Sequence, residues 1–167
     1  MNNELNIQRP QFKKVFIIDR QSAGDISKLI VKGIRESLQQ AKNSAHQFTG
    51  TTQKQTARNL WMYLKHNLKY KAESLQNQTV KTLARIYNDK NKGNDCKHFT
   101  TFISTYAITH KIPVKLRLVS FNKYDKTPTH IYPVLTIQGK EVPVDAVINQ
   151  FGVNPKGITY FKDIKLN

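Results

Sequence analysis

The order of the hydrophobic patterns predicts an α+β protein in which N-terminal helices pack on a C-terminal antiparallel β-sheet. Before residue 110, apolar residues recur every three or four positions in four stretches, a spacing typical of one helix face. From residue 114 to residue 147, β-branched and alternating apolar residues are separated by turn sequences, which indicates strands. Because the strands follow the helices instead of alternating with them, an α+β architecture is favoured.

The N-terminal part is predicted to contain a short extended segment and two long helices. Residues 12–18 are aromatic and β-branched, which favours a strand or an extended lead-in. A Ser-x-x-Asp sequence at Ser22 then begins a helix whose apolar stripe continues to Phe48. After a break with good capping residues at 49–52, a second amphipathic helix contains the single tryptophan, Trp61, which we expect to be a core anchor.

The C-terminal part is predicted to contain a helix followed by three strands. A polar stretch over residues 71–79 leads to a short helical pattern at 80–87 and a loop. The next helix begins at Cys96 and should end near His110, because Pro113 forbids its continuation. Strands are expected over residues 114–121, 129–137 and 141–147, with a tight turn at 138–140.

The chain of 167 residues is predicted to form a single domain over residues 1–167. Within it, residues 1–50 form an N-terminal extension plus the first long helix, and residues 51–167 form the core. The single cysteine excludes an internal disulfide and weakly favours a reducing compartment. There is no run of about eighteen apolar residues and no apolar signal core at the start, so we expect a soluble protein without a cleaved export signal.

The charge balance is strongly basic, with 27 Lys and Arg against 11 Asp and Glu and a formal net charge of +16. Such a surface attracts polyanions, including nucleic acid, anionic glycans and acidic membranes. Between residues 37 and 88 the single acid is Glu73, so a basic face is expected there. Its basic residues are Lys42, Lys54, Arg58, Lys65, Lys69, Lys71, Lys81 and Arg85. Solubilising lysines without a specific partner are the equally open alternative.

Three polar residues form the candidate site. Cys96 lies at a predicted helix start, where unpaired N–H groups and the helix dipole favour a thiolate. A cysteine nucleophile also needs a base, and the base needs an acceptor that orients it. His130 opens a strand, and Asp145 lies roughly opposite it across the hairpin, on the same face by strand parity. We expect this face to receive the cysteine helix.

The other histidines are poorer candidates for the base. His98 is two positions from Cys96 on a helix, a spacing that points the two side chains apart. His46, His66 and His110 lie in or at the ends of helices, with nothing nearby in sequence to orient them. Taken alone, His130 and Asp145 are each explained as well by a surface histidine or a turn-forming aspartate; their order together with the cysteine favours a site.

Several sequences resemble the transglutaminase-like cysteine-protease superfamily, in particular its small single-domain bacterial and phage type. They are Gly-Asn-Asp-Cys-Lys at residues 93–97, His-Lys-Ile-Pro-Val at 110–114, Thr-His-Ile-Tyr-Pro-Val at 129–134 and Gly-Lys-Glu-Val-Pro-Val-Asp-Ala-Val at 139–147. The resemblance covers roughly residues 56–161. It implies a papain/transglutaminase-like core with the nucleophilic cysteine at a helix N-terminus.

The resemblance also implies roles for individual residues. Cys96 would be the nucleophile, His130 the general base and acid, and Asp145 the residue that orients His130. A polar residue that helps to hold the oxyanion would correspond to Gln78, with Gln76 as a competitor.

The chain departs from the family pattern at two places. Lys97 stands where the family often has an acid after the cysteine, and a partly exposed cation there would favour the thiolate. Residues 110–113 also differ from the usual Leu-Gly-Ile-Pro, which affects a turn and not the chemistry.

The predicted function is that of a cysteine-dependent amide-bond hydrolase, a protease or amidase that acts through an acyl-enzyme. Its partner would be a peptide or amide substrate, such as a cell-wall or virion protein. The resemblance implies a phage or prophage origin, and the sequence leaves the compartment open between cytoplasm and virion. Two alternatives stay open: a protein-crosslinking transamidase, and a non-catalytic basic protein of a phage particle that binds nucleic acid or another polyanion.

No cofactor and no metal are expected, since no sequence has the spacing of metal ligands or a phosphate-binding loop. The segment up to Gln21 is a candidate to cover the site by its position alone.

Overall fold

The computed structural model describes residues 15–18, 23–74 and 78–166. The helices are α1 (Ala23–Ala41), α2 (Gln53–Asn67), α3 (Leu83–Asn88) and α4 (Cys96–Thr109), with a 3-10 helix at Ala45–Phe48. The strands are β1 (Val15–Ile18), β2 (Gln78–Lys81), β3 (Val114–Ser120), β4 (His130–Ile137), β5 (Lys140–Pro143) and β6 (Tyr160–Lys165). A four-stranded antiparallel sheet of order β5-β4-β3-β6 follows the helices, so the α+β prediction is confirmed.

Helix α4 lies at the centre of the fold, since every residue from 97 to 107 is buried. Buried hydroxyl groups are usually hydrogen-bonded, and among the described residues of this helix Ser104 is the exception. Thr101 and Thr105 donate to carbonyl oxygens four residues earlier, at 3.0 Å and 2.7 Å. Thr100 donates to the carbonyl oxygen of Ile131 at 3.1 Å, which ties α4 to β4. The helix that begins at the cysteine is therefore buried along its length and bonded to the sheet.

Aromatic side chains form much of the core between α4 and the preceding helices. Phe102 is fully buried and stacks on Tyr63 with 5.5 Å between ring centroids. Phe48 and Tyr106 contact the same ring at 5.8 Å and 4.9 Å. Trp61 is buried in this cluster, which confirms the expected core anchor.

The first long helix is shorter than its apolar stripe predicted. Helix α1 ends at Ala41, and the buried residues Ala45 and Phe48 belong to a separate 3-10 turn. Ser44 is buried at the junction and shares a 2.7 Å hydrogen bond with the hydroxyl group of Tyr106. The apolar stripe predicted one continuous helix because α1 and the 3-10 helix both bury apolar residues in the same core.

Two strands lie where the sequence predicted none. Strand β2 covers the end of the polar stretch and pairs with β1, and β6 pairs with β3 along its whole length. Because β2 includes residues 80 and 81, the short helix predicted from residue 80 begins only at Leu83. The predicted third strand ends early, since β5 stops at Pro143 instead of 147. The part of the predicted first strand before residue 15, like most of the N-terminal segment offered as a cover, lies outside the described residues.

Two residues of the predicted basic face do not contribute to it. Lys81 is buried, with its ammonium group 3.4 Å from Asp89 and 3.1 Å from the carbonyl oxygen of Gly93. Arg85 bonds the same Asp89 carboxylate at 2.6 Å.

Across the described residues, no helix combines the length and apolarity that a membrane crossing would require.

Candidate active site

Cys96 is the first residue of α4, and the residues around it form a capping box. The carboxylate of Asp95 accepts the backbone N–H groups of Lys97 and His98, at 3.0 Å and 3.5 Å. In return, Nδ1 of His98 accepts the N–H of Asp95 at 3.0 Å. Burial, followed by the charge of Lys81, lowers the pKa of His98 far below its usual range, which keeps the ring neutral for this role. His98 thus caps the helix and is not the partner of the thiol.

Cys96 is a free, half-buried cysteine beside an apolar cluster. The cluster contains Ile30 of α1, Leu118 of β3 and Ile131 of β4. One side of Cys96 therefore packs against apolar core residues, while the N-terminus of α4 supplies partial positive charge.

His130 is held by a buried carboxylate. Its Nε2 lies 2.7 Å from Oδ2 of Asp145, which is 2% exposed. The other carboxylate oxygen of Asp145 accepts the N–H of Val147, and its carbonyl oxygen accepts the indole N–H of Trp61, both at 2.9 Å. Since Nε2 is taken by the carboxylate, Nδ1 is the nitrogen left to face Cys96, which together with Asp145 raises the pKa of the ring.

The histidine and the carboxylate share one sheet face, but it is not the face that receives α4. Ile131 packs toward the helices, whereas Tyr132 and Val134 pack with Val119 on the opposite face. His130 has the parity of Tyr132, so the expectation that its face receives the cysteine helix is wrong. It reaches the thiol because it is the first residue of β4, at the end of the sheet beside the first turn of α4.

The protonation state of His130 follows from its two partners. Burial lowers its pKa, but the hydrogen bonds to Asp145 and Cys96 outweigh burial and raise the pKa to about 10. At neutral pH this raised pKa keeps the ring an imidazolium, which donates to Asp145 and places a positive charge beside Cys96. An imidazolium beside a thiol is a feature of cysteine nucleophiles.

We expect the His130 ring to stay protonated well above neutral pH. In a pH titration by NMR, its ring resonances should move with a midpoint near 10, whereas His110, whose pKa burial lowers, should titrate below the usual range. In the unfolded chain the pKa of an imidazole is about 6.5. A higher pKa in the folded state stabilises the fold fully at pH values below about 6.5, and this stabilisation is lost as the pH rises toward the folded-state pKa. The unfolding free-energy difference between the parent and His130→Ala should therefore shrink from pH 6.5 to about pH 10. A midpoint for His130 below 7 would contradict the ion pair.

Tyr70 is a site residue that sequence reasoning missed. Burial, followed by the nearby Cys96, Asp95 and Asp145, raises its pKa to about 12, so the phenol stays protonated. Its ring lies 5.7 Å from that of Phe99 and the residue is 43% exposed. Its position directly after a predicted helix, between two lysines, gave no signal of this placement. The protonated hydroxyl group is a potential hydrogen-bond donor within electrostatic range of Cys96.

The predicted oxyanion residue Gln78 has other partners. Its amide nitrogen donates to the carbonyl oxygen of Ser74 at 2.7 Å, and its amide oxygen accepts from Nζ of Lys97 at 2.7 Å. The assignment of Gln78 to the oxyanion stays a prediction. The competitor Gln76 lies outside the described residues.

Lys97 differs from its expected setting, since its side chain is only 5% exposed. Its ammonium group bonds the carboxylate of Asp95 and lies 3.4 Å from Oε2 of Glu73. Glu73, Asp95 and His98 bring ligand atoms within 4.8 Å of one another, a grouping that can hold a metal ion. The ammonium group of Lys97 already supplies a cation between the two carboxylates.

The comparisons with known proteins identify a fold relative. The crystal structure of a "putative protease" from Parabacteroides distasonis resembles this chain with a TM-score of 0.57 at 12% sequence identity. The superposition covers 83% of this chain but 29% of the other, so the chain corresponds to less than a third of that protein. At this identity the likeness shows the fold alone. No protein-family model and no curated protein sequence matches the chain.

Proposed function

We propose that this chain is a cysteine-dependent amide-bond hydrolase of the transglutaminase-like type. The observation that carries the proposal is the hydrogen bond from His130 to the buried Asp145 carboxylate, on a ring whose pKa both Asp145 and Cys96 raise. A thiol at a helix N-terminus, an imidazole beside it and a carboxylate behind the imidazole are the components of a cysteine nucleophile. The fold relative that is named as a protease supports the same class.

The reaction would proceed through an acyl-enzyme. The Cys96 thiolate attacks the amide carbonyl carbon, and a C–S bond forms while the carbonyl oxygen becomes an oxyanion. His130 donates its Nδ1 proton to the leaving amine as the C–N bond breaks. The neutral imidazole then accepts a proton from water, whose oxygen attacks the thioester carbonyl. The C–S bond breaks, which releases the acid and restores the thiolate and the imidazolium.

The oxyanion requires hydrogen-bond donors near the thiol. The backbone N–H of Cys96 points out of the first turn of α4, and the Tyr70 hydroxyl group is a second donor whose pKa keeps it protonated. The amide of Gln78 would have to leave Ser74 to take part.

The molecule that accepts the acyl group from Cys96 distinguishes the two enzymatic functions, hydrolysis and transamidation. Water makes the chain a protease or amidase, and a lysine amine makes it a transamidase. We favour hydrolysis, in agreement with the name of the fold relative.

The first test is the pH dependence of Cys96 alkylation by iodoacetamide. We expect the parent to react substantially at about pH 6, where a free thiol with a pKa near 8.5 is almost fully protonated. His130→Ala should lose this reaction because the imidazolium that stabilises the thiolate is gone. His66→Ala, at an exposed helical position, should react like the parent. A parent thiol that is inert, or that titrates near the free value, would overturn the proposal.

A basic surface favours one non-catalytic alternative. Five basic residues of the expected face are exposed: Lys42, Lys54, Arg58, Lys69 and Lys71. If polyanion binding were the function, Cys96→Ala would leave binding and its salt dependence intact, while substitution of these side chains would weaken both.

A further inference from the structure

The buried ammonium group of Lys97 joins two separate parts of the candidate site. One partner is Asp95, the capping residue of α4 directly before Cys96. The other partners are Glu73, with its carboxylate oxygen at 3.4 Å, and Gln78, with its amide oxygen at 2.7 Å. A lysine is almost never this deeply buried unless its charge is paired. Here the ammonium group is bonded both to the cap of helix α4 and to a neighbouring stretch of chain.

That chain consists of residues 69–74 and 78–81, which we refer to as the wall segment. At one end it is fixed to the stretch before the cysteine, because the backbone of Asn94 bonds the carbonyl of Lys69 and the N–H of Lys71, both at 2.9 Å. This attachment holds Tyr70 beside the site. Farther along, Glu73 accepts the N–H of Thr79 at 2.6 Å and also its hydroxyl group.

Lys97 is the cation that joins Glu73 and Gln78, at the second end of the wall segment, to Asp95 of the helix cap. The same end is also held by Nε2 of His98, which lies 3.1 Å from the carbonyl oxygen of Thr79, and by the pairing of β2 with β1. Without it, the carboxylates of Glu73 and Asp95 would face each other with no charge between them. Removing one partner of a buried ion pair leaves an uncompensated buried charge, which is strongly unfavourable. The part of the wall segment around Glu73 would be held less tightly against the helix, and the negative charge of Asp95 would act unopposed on the neighbouring Cys96.

We propose that Lys97 is a positioning residue, a tethered internal cation that holds the wall segment against the N-terminus of α4 and thereby sets the reactivity of Cys96. The inference rests on the proposed function, since the reactivity of Cys96 is one of its two readouts. The second readout, the exchange of backbone amides in the wall segment, is independent of any catalytic role.

The test removes the ammonium group and returns it as a small molecule. Lys97→Ala deletes three carbons and the nitrogen, which propylammonium replaces and which 1-propanol replaces in shape without charge. We expect the acid limb of the Cys96 alkylation profile to move up by about one pH unit in Lys97→Ala. Amide exchange in the wall segment should become faster by about tenfold. Propylammonium should reverse both changes and 1-propanol neither, while Lys92→Ala, at an exposed position, should match the parent.

Two results would overturn the proposal: parent-like exchange and alkylation in Lys97→Ala, or equal recovery with 1-propanol, which would mean that the side chain only fills space. If Lys97→Ala does not fold, Lys97→Met combined with Glu73→Gln removes one acid with the cation. In that double variant, parent-like exchange of the wall segment would equally contradict the proposal. If the parent thiol is not activated at all, the proposed function fails, while the exchange measurement still decides the structural role of Lys97.

Discussion

Asp145→Ala is expected to lower the rate of Cys96 alkylation at about pH 6 by roughly two orders of magnitude. The substitution removes the carboxylate that bonds Nε2 of His130 at 2.7 Å and that helps to raise the pKa of the ring to about 10. The imidazole would then lose both its orientation and its preference for the charged form. The backbone bond from Trp61 to residue 145 does not depend on the side chain, so the fold should persist. The rate is measured with iodoacetamide under the conditions used for the parent.

Asp125→Ala is the matched control, because Asp125 is a fully exposed carboxylate whose hydrogen bonds run to Thr127. Asp145→Asn should fall between the parent and Asp145→Ala, since an amide oxygen can still orient the imidazole but carries no charge. A parent-like rate in Asp145→Ala would mean that another group orients His130, and the assignment of Asp145 would be withdrawn.

Phe102→Ala is expected to lower the free energy of unfolding by about 4 kcal/mol. Phe102 is fully buried on the central helix and contacts the rings of Phe48, Tyr63 and Tyr106. Truncation removes apolar area from the core and leaves a cavity that the surrounding aromatic rings fill only in part. Urea unfolding followed by circular dichroism gives the change directly, as a lower midpoint at unchanged slope.

Tyr124→Ala provides the comparison for this loss, since Tyr124 is 86% exposed and should change stability by less than about 0.5 kcal/mol. Equal effects of the two substitutions would show that the aromatic cluster around α4 is not the main core.

The sequence was most informative where structure depends on neighbouring residues. The start of α4 at Cys96 was predicted from the apolar spacing that follows it and its end near His110 from Pro113, and both lie where the sequence predicted them. The structure adds the capping carboxylate of Asp95. The hairpin was placed correctly, but its register differs by two residues from the one assumed. Val134 pairs with Pro143, and continuing this register puts Asp145 opposite Tyr132. The bond to His130 is therefore diagonal, a distance that long side chains span on a sheet face.

The features that the sequence did not reveal depend on contacts between distant residues. Strand β2 is polar, so no alternation of hydrophobic residues marked it, and its pairing with β1 joins residues some sixty positions apart. The burial of Lys97 could not be foreseen either, because a lysine is ordinarily exposed and the carboxylate of Glu73 comes from another part of the chain. The sheet face of His130 was also predicted wrongly. Strand parity shows which residues share a face of the sheet, but it does not show which face a helix covers.

The bond from the indole of Trp61 to the carbonyl oxygen of Asp145 gives the protein an intrinsic optical probe of its own site. Trp61 is the single tryptophan of the chain, so its emission is not mixed with that of a second indole. It is buried among core side chains and is bonded to the backbone of the residue that orients His130. Fluorescence recorded during unfolding therefore reports two events in one signal: the opening of the helical core and the loss of the backbone contact at residue 145.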